Sequence, residues 1–155
     1  TQEAIEEFSR AADFLRAQQR QDDFIKVAER LVFHQSSNLP LVRELATLYI
    51  ERGDPRRALA KLQIAFKAEP RDEETLELLS QAFEDLGQVQ KAVSVLRELV
   101  ALHEETGNDE SRKEVYRRIH RLAPLNRLPT PGTSTRTSPP SVSAKIGHFH
   151  RPQAA

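Results

Sequence analysis

Between Leu41 and Arg52 the apolar positions are Leu41, Val42, Leu45, Leu48 and Tyr49. Their three-and-four spacing predicts an amphipathic helix, and Pro40 suits its first turn. Gly53-Asp54-Pro55 then reads as a helix cap, the next N-cap and the next first turn. Ala58, Leu59, Leu62, Ala65 and Phe66 give a second buried stripe, which Pro70 ends. The scheme recurs: Leu76, Leu79, Ala82, Phe83 and Leu86 line a helix ending at Gly87, and Ala92, Val93, Leu96, Leu99 and Val100 line its partner. Glu104 stands where the earlier unit has Pro70, so one long helix is predicted from Val89 to Glu105, capped by Gly107. A last helix is predicted from Glu110 to Leu122, with Val115, Ile119 and Leu122 inward.

The N-terminal part echoes this end at an offset of 88 residues: Ala4 with Ala92, Ile5 with Val93, Phe8 with Leu96, Ala11 with Leu99, Val27 with Val115 and Leu31 with Ile119. That predicts a long helix over Gln2–Gln18 and a shorter one over Asp23–His34. The count is about seven helices in an all-α chain. A step of 34 residues links Gly53 to Gly87, Ala58 to Ala92, Leu62 to Leu96, Leu45 to Leu79 and Tyr49 to Phe83. A fixed period of this length marks stacked helix-turn-helix units, whose long surfaces bind other macromolecules.

The middle unit, Val42-x2-Leu45-Ala46-x2-Tyr49, then Ala58-x3-Leu62, Ala65 and Pro70, resembles the tetratricopeptide repeat. Leu76-x2-Leu79-Ser80-x2-Phe83 with Ala92-x3-Leu96 is similar to the same motif. It departs at Leu99, where a small residue is usual, and at Glu104, where Pro is usual. Phe24 and Arg112 stand where the family prefers Ala. The resemblance covers roughly residues 2–124, most closely 39–100. It implies a superhelical solenoid of antiparallel helix pairs whose first helices line a concave groove. Small residues at Ala46, Ser80, Ala58 and Ala92 let helices approach, and Tyr49 and Phe83 fill the gaps beside them.

On those first helices the positions off the buried stripe are Arg43, Glu44, Thr47, Ile50 and Glu51, then Glu74, Glu77, Leu78, Gln81, Glu84 and Asp85. They suggest an acidic groove with Ile50 and Leu78 as apolar anchors, suited to a basic and apolar peptide or helix of another protein. An ordinary solvated helix face has the same composition. Some family members clamp a terminal carboxylate with Lys and Asn. Arg43, Thr47 and Leu78 occupy those places, which argues against that ligand. The last helix carries Arg112, Lys113, Arg117, Arg118, His120 and Arg121, either a basic patch for phosphate or an acidic partner, or a solvated outer face with Glu110 and Glu114 as local partners. Tyr116 is the single aromatic among these cations, too few for a stacking platform, which makes nucleic acid the weaker reading.

Charge divides the chain. Residues 1–124 hold all 23 acids and carry −4, while 125–155 carry +4 from Arg127, Arg136, Lys145 and Arg151. The second segment, rich in Pro, Ser and Thr, predicts a disordered basic tail rather than a core. A linker of about twenty residues spans on the order of 25 Å, so residues 145–151, with Phe149 among cations, either stay free or dock weakly in the acidic groove. His148-x-His150 lacks a third ligand for Zn2+. With no cysteine, phosphate loop or nucleophile elbow, neither metal, cofactor nor catalysis is expected. No membrane span or signal peptide is evident, which suggests a cytoplasmic protein. The opening at Thr1 and the lack of Met read as a piece of a longer or trimmed chain. The function expected is an adaptor or assembly scaffold. The alternatives are a regulatory or spacer segment of a larger protein, and nucleic-acid contact through the basic last helix and tail.

Overall fold

Two glycines set the frame. Gly53 and Gly87 adopt φ +74 and +69, the left-handed conformation that ends a helix without a Cβ penalty. At each, the next two amides fold back onto the finished helix: Gly53 N–H donates to Ile50 O and Asp54 N–H to Tyr49 O, at 2.9 and 2.8 Å. Asp54 then turns its carboxylate to the Arg57 amide, capping the following helix.

A computed structural model describes residues 1–124. Among them are seven helices: α1 Gln2–Ala17, α2 Gln21–His34, α3 Leu39–Glu51, α4 Pro55–Ala68, α5 Glu73–Asp85, α6 Val89–Thr106 and α7 Asp109–Leu122. The expectations for residues 125–155, including His148, His150 and the docking of 145–151, lie outside the described residues. Pairs α1–α2, α3–α4 and α5–α6 pack most closely, and α4 on α5 and α6 on α7 join the units. The result is a superhelical stack of antiparallel helix pairs.

The buried stripes follow the predicted period. Leu45, Ala46, Ala58, Leu62, Ala92 and Leu96 are all 0 % exposed, so the small residues do sit where helices meet. Burying a leucine such as Leu62 contributes about 1.5–3 kcal/mol. Phe66, expected inward, is instead 42% exposed, although Val32 and Val100, one period before and after it, are buried. His103 is buried, with Nε2 3.7 Å from Glu73 Oε1.

The N-terminal pair corrects the offset of 88 residues. Gln19 has φ 55 and lies 34 residues before Gly53. Its amide bonds Arg16 O and the Arg20 amide bonds Leu15 O, the same closure as at the glycines. Phe8, Ala11, Ala12 and Leu15 therefore precede Val42, Leu45, Ala46 and Tyr49 by one full period. Thus α1 is equivalent to α3 and α5, not to α6.

Candidate functional site

The odd-numbered helices form one layer of the stack, and an arginine bridges each step between them. From α1, Arg16 reaches Glu44 of α3 with two hydrogen bonds, Nε to Oε1 at 2.8 Å and Nη2 to Oε2 at 2.7 Å. From α3, Arg43 Nη1 lies 3.2 Å from Asp72 and 3.7 Å from Glu69. Its Nε is 3.0 Å from Glu74 Oε2 but buried and without a hydrogen bond, so that contact is Coulombic. From α7, Arg118 turns back to α5: it donates to Glu77 and Glu84, the latter at 2.7 Å, and to Ser80 Oγ at 2.9 Å.

These bridges have visible consequences for protonation. Burial opposes the charge on Arg118, yet Glu84 and Glu77 outweigh it and raise its pKa. Burial also works against the Asp72 carboxylate, but hydrogen bonds from the Thr75 hydroxyl and amide, with Arg43 beside them, hold its pKa below the usual carboxylate value. Asp72 thus serves twice, as N-cap of α5 and as the end of the α3–α5 bridge.

The even-numbered helices form the other layer. There Glu29 of α2 accepts from the Tyr49 hydroxyl at 2.5 Å and from Lys61 Nζ of α4. Burial, then the bond to Glu29, pushes the Tyr49 phenol up to about 12.

The predicted groove residues accordingly divide. Arg43, Glu44, Glu77 and Glu84 are internal bridge members. Ile50 and Leu78 are half-buried against the core cluster, which joins anchoring with packing. Thr47 donates back to Arg43 O at 3.0 Å, and Gln81 bonds Asp85 at 2.9 Å along α5. Glu51 and Asp85 are exposed, and Glu74 keeps most of its carboxylate in water despite Arg43. The basic patch divides as well. Arg118 leaves it for α5, while Arg112 pairs with Asp109 at 3.0 Å, Lys113 with Glu110 at 3.6 Å, and Arg117 and Arg121 with Glu114 at 2.8 and 3.8 Å. Sequence reasoning missed Arg16, which no local pattern distinguishes from other exposed arginines.

Between α1, α2 and α3 lies a cleft of about 410 Å3 walled by Leu15, Phe24 and Leu48, with Arg16 and Glu44 at its side. Arg16 stacks over the Phe24 ring, 4.9 Å from its centroid. Among the described residues no group of three or more His, Asp or Glu is placed to hold a metal ion. None of the described helices is long and apolar enough to cross a membrane.

Comparison with known proteins identifies the architecture. The family described as "Tetratricopeptide repeat" matches residues 43–110. Residues 43–110 carry tetratricopeptide repeats. Among solved structures, the repeat stack is similar to the crystal structure of MamA protein, with TM-score 0.58 and 17% identity over 80% of this chain and 75% of that one. It is similar also to protein BPP2914 from Bordetella parapertussis, with TM-score 0.55 and 21% identity over 64% and 87%. A third is MamA 41-end from Desulfovibrio magneticus RS-1, with TM-score 0.54 and 13% identity over 76% and 75%. At these identities the likeness establishes the fold. No curated protein matches the chain. The repeats are a protein–protein interaction scaffold in general type, and the fold is typically non-catalytic.

Proposed function

We propose that the chain is an adaptor or assembly scaffold that binds a partner protein along the layer of α1, α3, α5 and α7, the concave side of a tetratricopeptide superhelix. The observation that carries this reading is the arginine-bridged layer itself. Arg16–Glu44, Arg43–Asp72 and Arg118–Glu84 hold its helices in a fixed relation, so Thr47, Ile50, Leu78 and Gln81 form a preorganised strip. Preorganisation of a strip with apolar anchors serves binding rather than chemistry.

The partner segment is basic and apolar. Its apolar side chains cover Ile50 and Leu78, and its cations meet Glu51, Glu74 and Asp85, the carboxylates that the bridges leave in water. Reversing Glu77 and Glu84 also strands Arg118, so those changes mix binding with stability. Glu51→Lys with Asp85→Lys separates the two. The test is selection of peptides from a random display library on the full chain. Enrichment of Lys or Arg beside apolar residues, lost in the double variant, supports the reading. Recovery of acidic peptides, or of peptides that bind the double variant equally, contradicts it.

A further inference from the structure

The odd-helix layer changes character at its first step. Helix α3 packs directly against α5, whereas α1 stands off from α3. The register explains this. Phe24 and Leu48 stand one period before Ala58 and Ala82, both fully buried. Two large side chains in place of two alanines hold the helices apart, since interaxial distance follows the side chains at the contact. Arg16 and Glu44 stand one period before Ile50 and Leu78, the half-buried apolar pair of the next step. An ion pair therefore spans the gap where apolar side chains pack one unit later.

That gap is not filled. Arg16 and Glu44 wall the cleft of about 410 Å3 and also a smaller hollow of about 160 Å3 that Ala12 and Leu41 line. The larger cleft takes apolar walls from three helices, Leu15, Phe24 and Leu48, and the amide side chains of Gln19 and Gln21. Its charges are already matched: Arg16 pairs with Glu44 and Asp13, and Arg20 with Asp23. A charged occupant finds no counter-charge left for it. A neutral one with a flat apolar body and one hydrogen-bonding edge matches the lining, because Phe24 offers it a ring and either glutamine amide can meet the edge. A leucine side chain is too small to fill such a space and has no polar edge to offer.

We propose that this cleft is an anchor pocket for a tryptophan side chain of the partner segment. The pocket rests on the reading that a partner lies along the odd-helix layer, and it extends the strip of Ile50 and Leu78 by one step. Packed helices lie about 8–10 Å apart. At about 3.3 Å per residue, an extended segment places the tryptophan at least about three residues from the side chain that covers Ile50 and Leu78.

The test is methyl NMR of the full chain titrated with N-acetyl-tryptophanamide, a neutral indole that needs no peptide partner. The Leu15 and Leu48 methyls shift saturably, with Kd on the order of a millimolar for a ligand of this size. N-acetyl-leucinamide binds about ten-fold more weakly. Leu48→Ala weakens indole binding. Phe24→Ala with Leu48→Ala, which installs the residues of the next step, abolishes the Leu15 shifts while circular dichroism shows the helices intact. Phe66→Ala removes an exposed ring on α4 and leaves the titration unchanged. In peptide display on the full chain, tryptophan is enriched at one position, and the double variant loses that enrichment. Absence of shifts at Leu15 and Leu48 overturns the proposal. So does equal binding of the leucine analogue, binding that survives the double variant or depends on Phe66, or display without tryptophan enrichment. Selected peptides that carry the tryptophan but neither Lys nor Arg leave the pocket standing, and contradict instead the basic character assigned to the partner.

Discussion

Removing Arg118 tests whether the bridges fix the repeat layer. Its side chain is 17% exposed and bonds Glu77, Glu84 and Ser80. Arg118→Ala strands two carboxylates of unequal exposure, since Glu84 is 24% exposed and Glu77 49%. Breaking a fully buried pair costs about 3–5 kcal/mol, and a surface pair is worth about 0–1 kcal/mol. The partners here can be rehydrated in part, which places the cost at about 2 kcal/mol. Because α7 packs mainly on α6, the loss falls on that helix first. Local opening of α7 becomes about thirty-fold more frequent, since each 1.4 kcal/mol is a factor of ten. Hydrogen exchange of the α7 amides reads this directly. The control is Arg117→Ala, whose side chain is 64% exposed and pairs only with Glu114. Unchanged α7 exchange in Arg118→Ala, or an equal change in the control, refutes the reasoning.

Three further outcomes follow from the same geometry. Gln19→Gly should stabilise the fold by about 1 kcal/mol and Gly53→Ala destabilise it by about as much, because both positions are left-handed and an added Cβ at Gly53 meets nothing within 4 Å; denaturant midpoints moving the same way would contradict this. Ala58→Trp and Ala92→Trp should each cost about 1–3 kcal/mol or more by overpacking, read as a lowered thermal midpoint, and unchanged midpoints for both would mean that the register is wrong. Alkaline titration of phenol absorbance should show a step near about 12 that Tyr49→Phe removes. The folded pKa lies above the unfolded one, so the phenol's contribution to stability is complete below about pH 10 and is lost as pH rises through the folded value.

The period was legible wherever its markers were. Gly53, Gly87, Ala58 and Ala92 exposed the 34-residue step because a left-handed turn and a close helix contact tolerate few residue types. The same step runs through α1 and α2, but Gln19 stands at the glycine position and Phe24 at the alanine position, so a chance echo at 88 residues was easier to see. A search for Phe8-x2-Ala11-Ala12-x2-Leu15 would have found it. The candidate site was legible as a set of positions on helix faces. Its charges were not, because Arg16–Glu44 and Arg118–Glu77 join residues 28 and 41 apart across separate helices. Helical periodicity fixes which face a side chain occupies. Whether a carboxylate on that face meets water or an arginine depends on the neighbouring helix.

Binding along the odd-helix layer is tested most directly by placing a photo-crosslinking residue at single positions and exposing the full chain to cell extract. Thr47 and Gln81 lie on α3 and α5, whereas Gln63 and Arg97 lie exposed on α4 and α6. Discrete cross-linked proteins at positions 47 and 81, absent at 63 and 97 and diminished by Glu51→Lys with Asp85→Lys, are the predicted result. Cross-links of equal yield from positions 63 and 97, or none from 47 and 81, would contradict it.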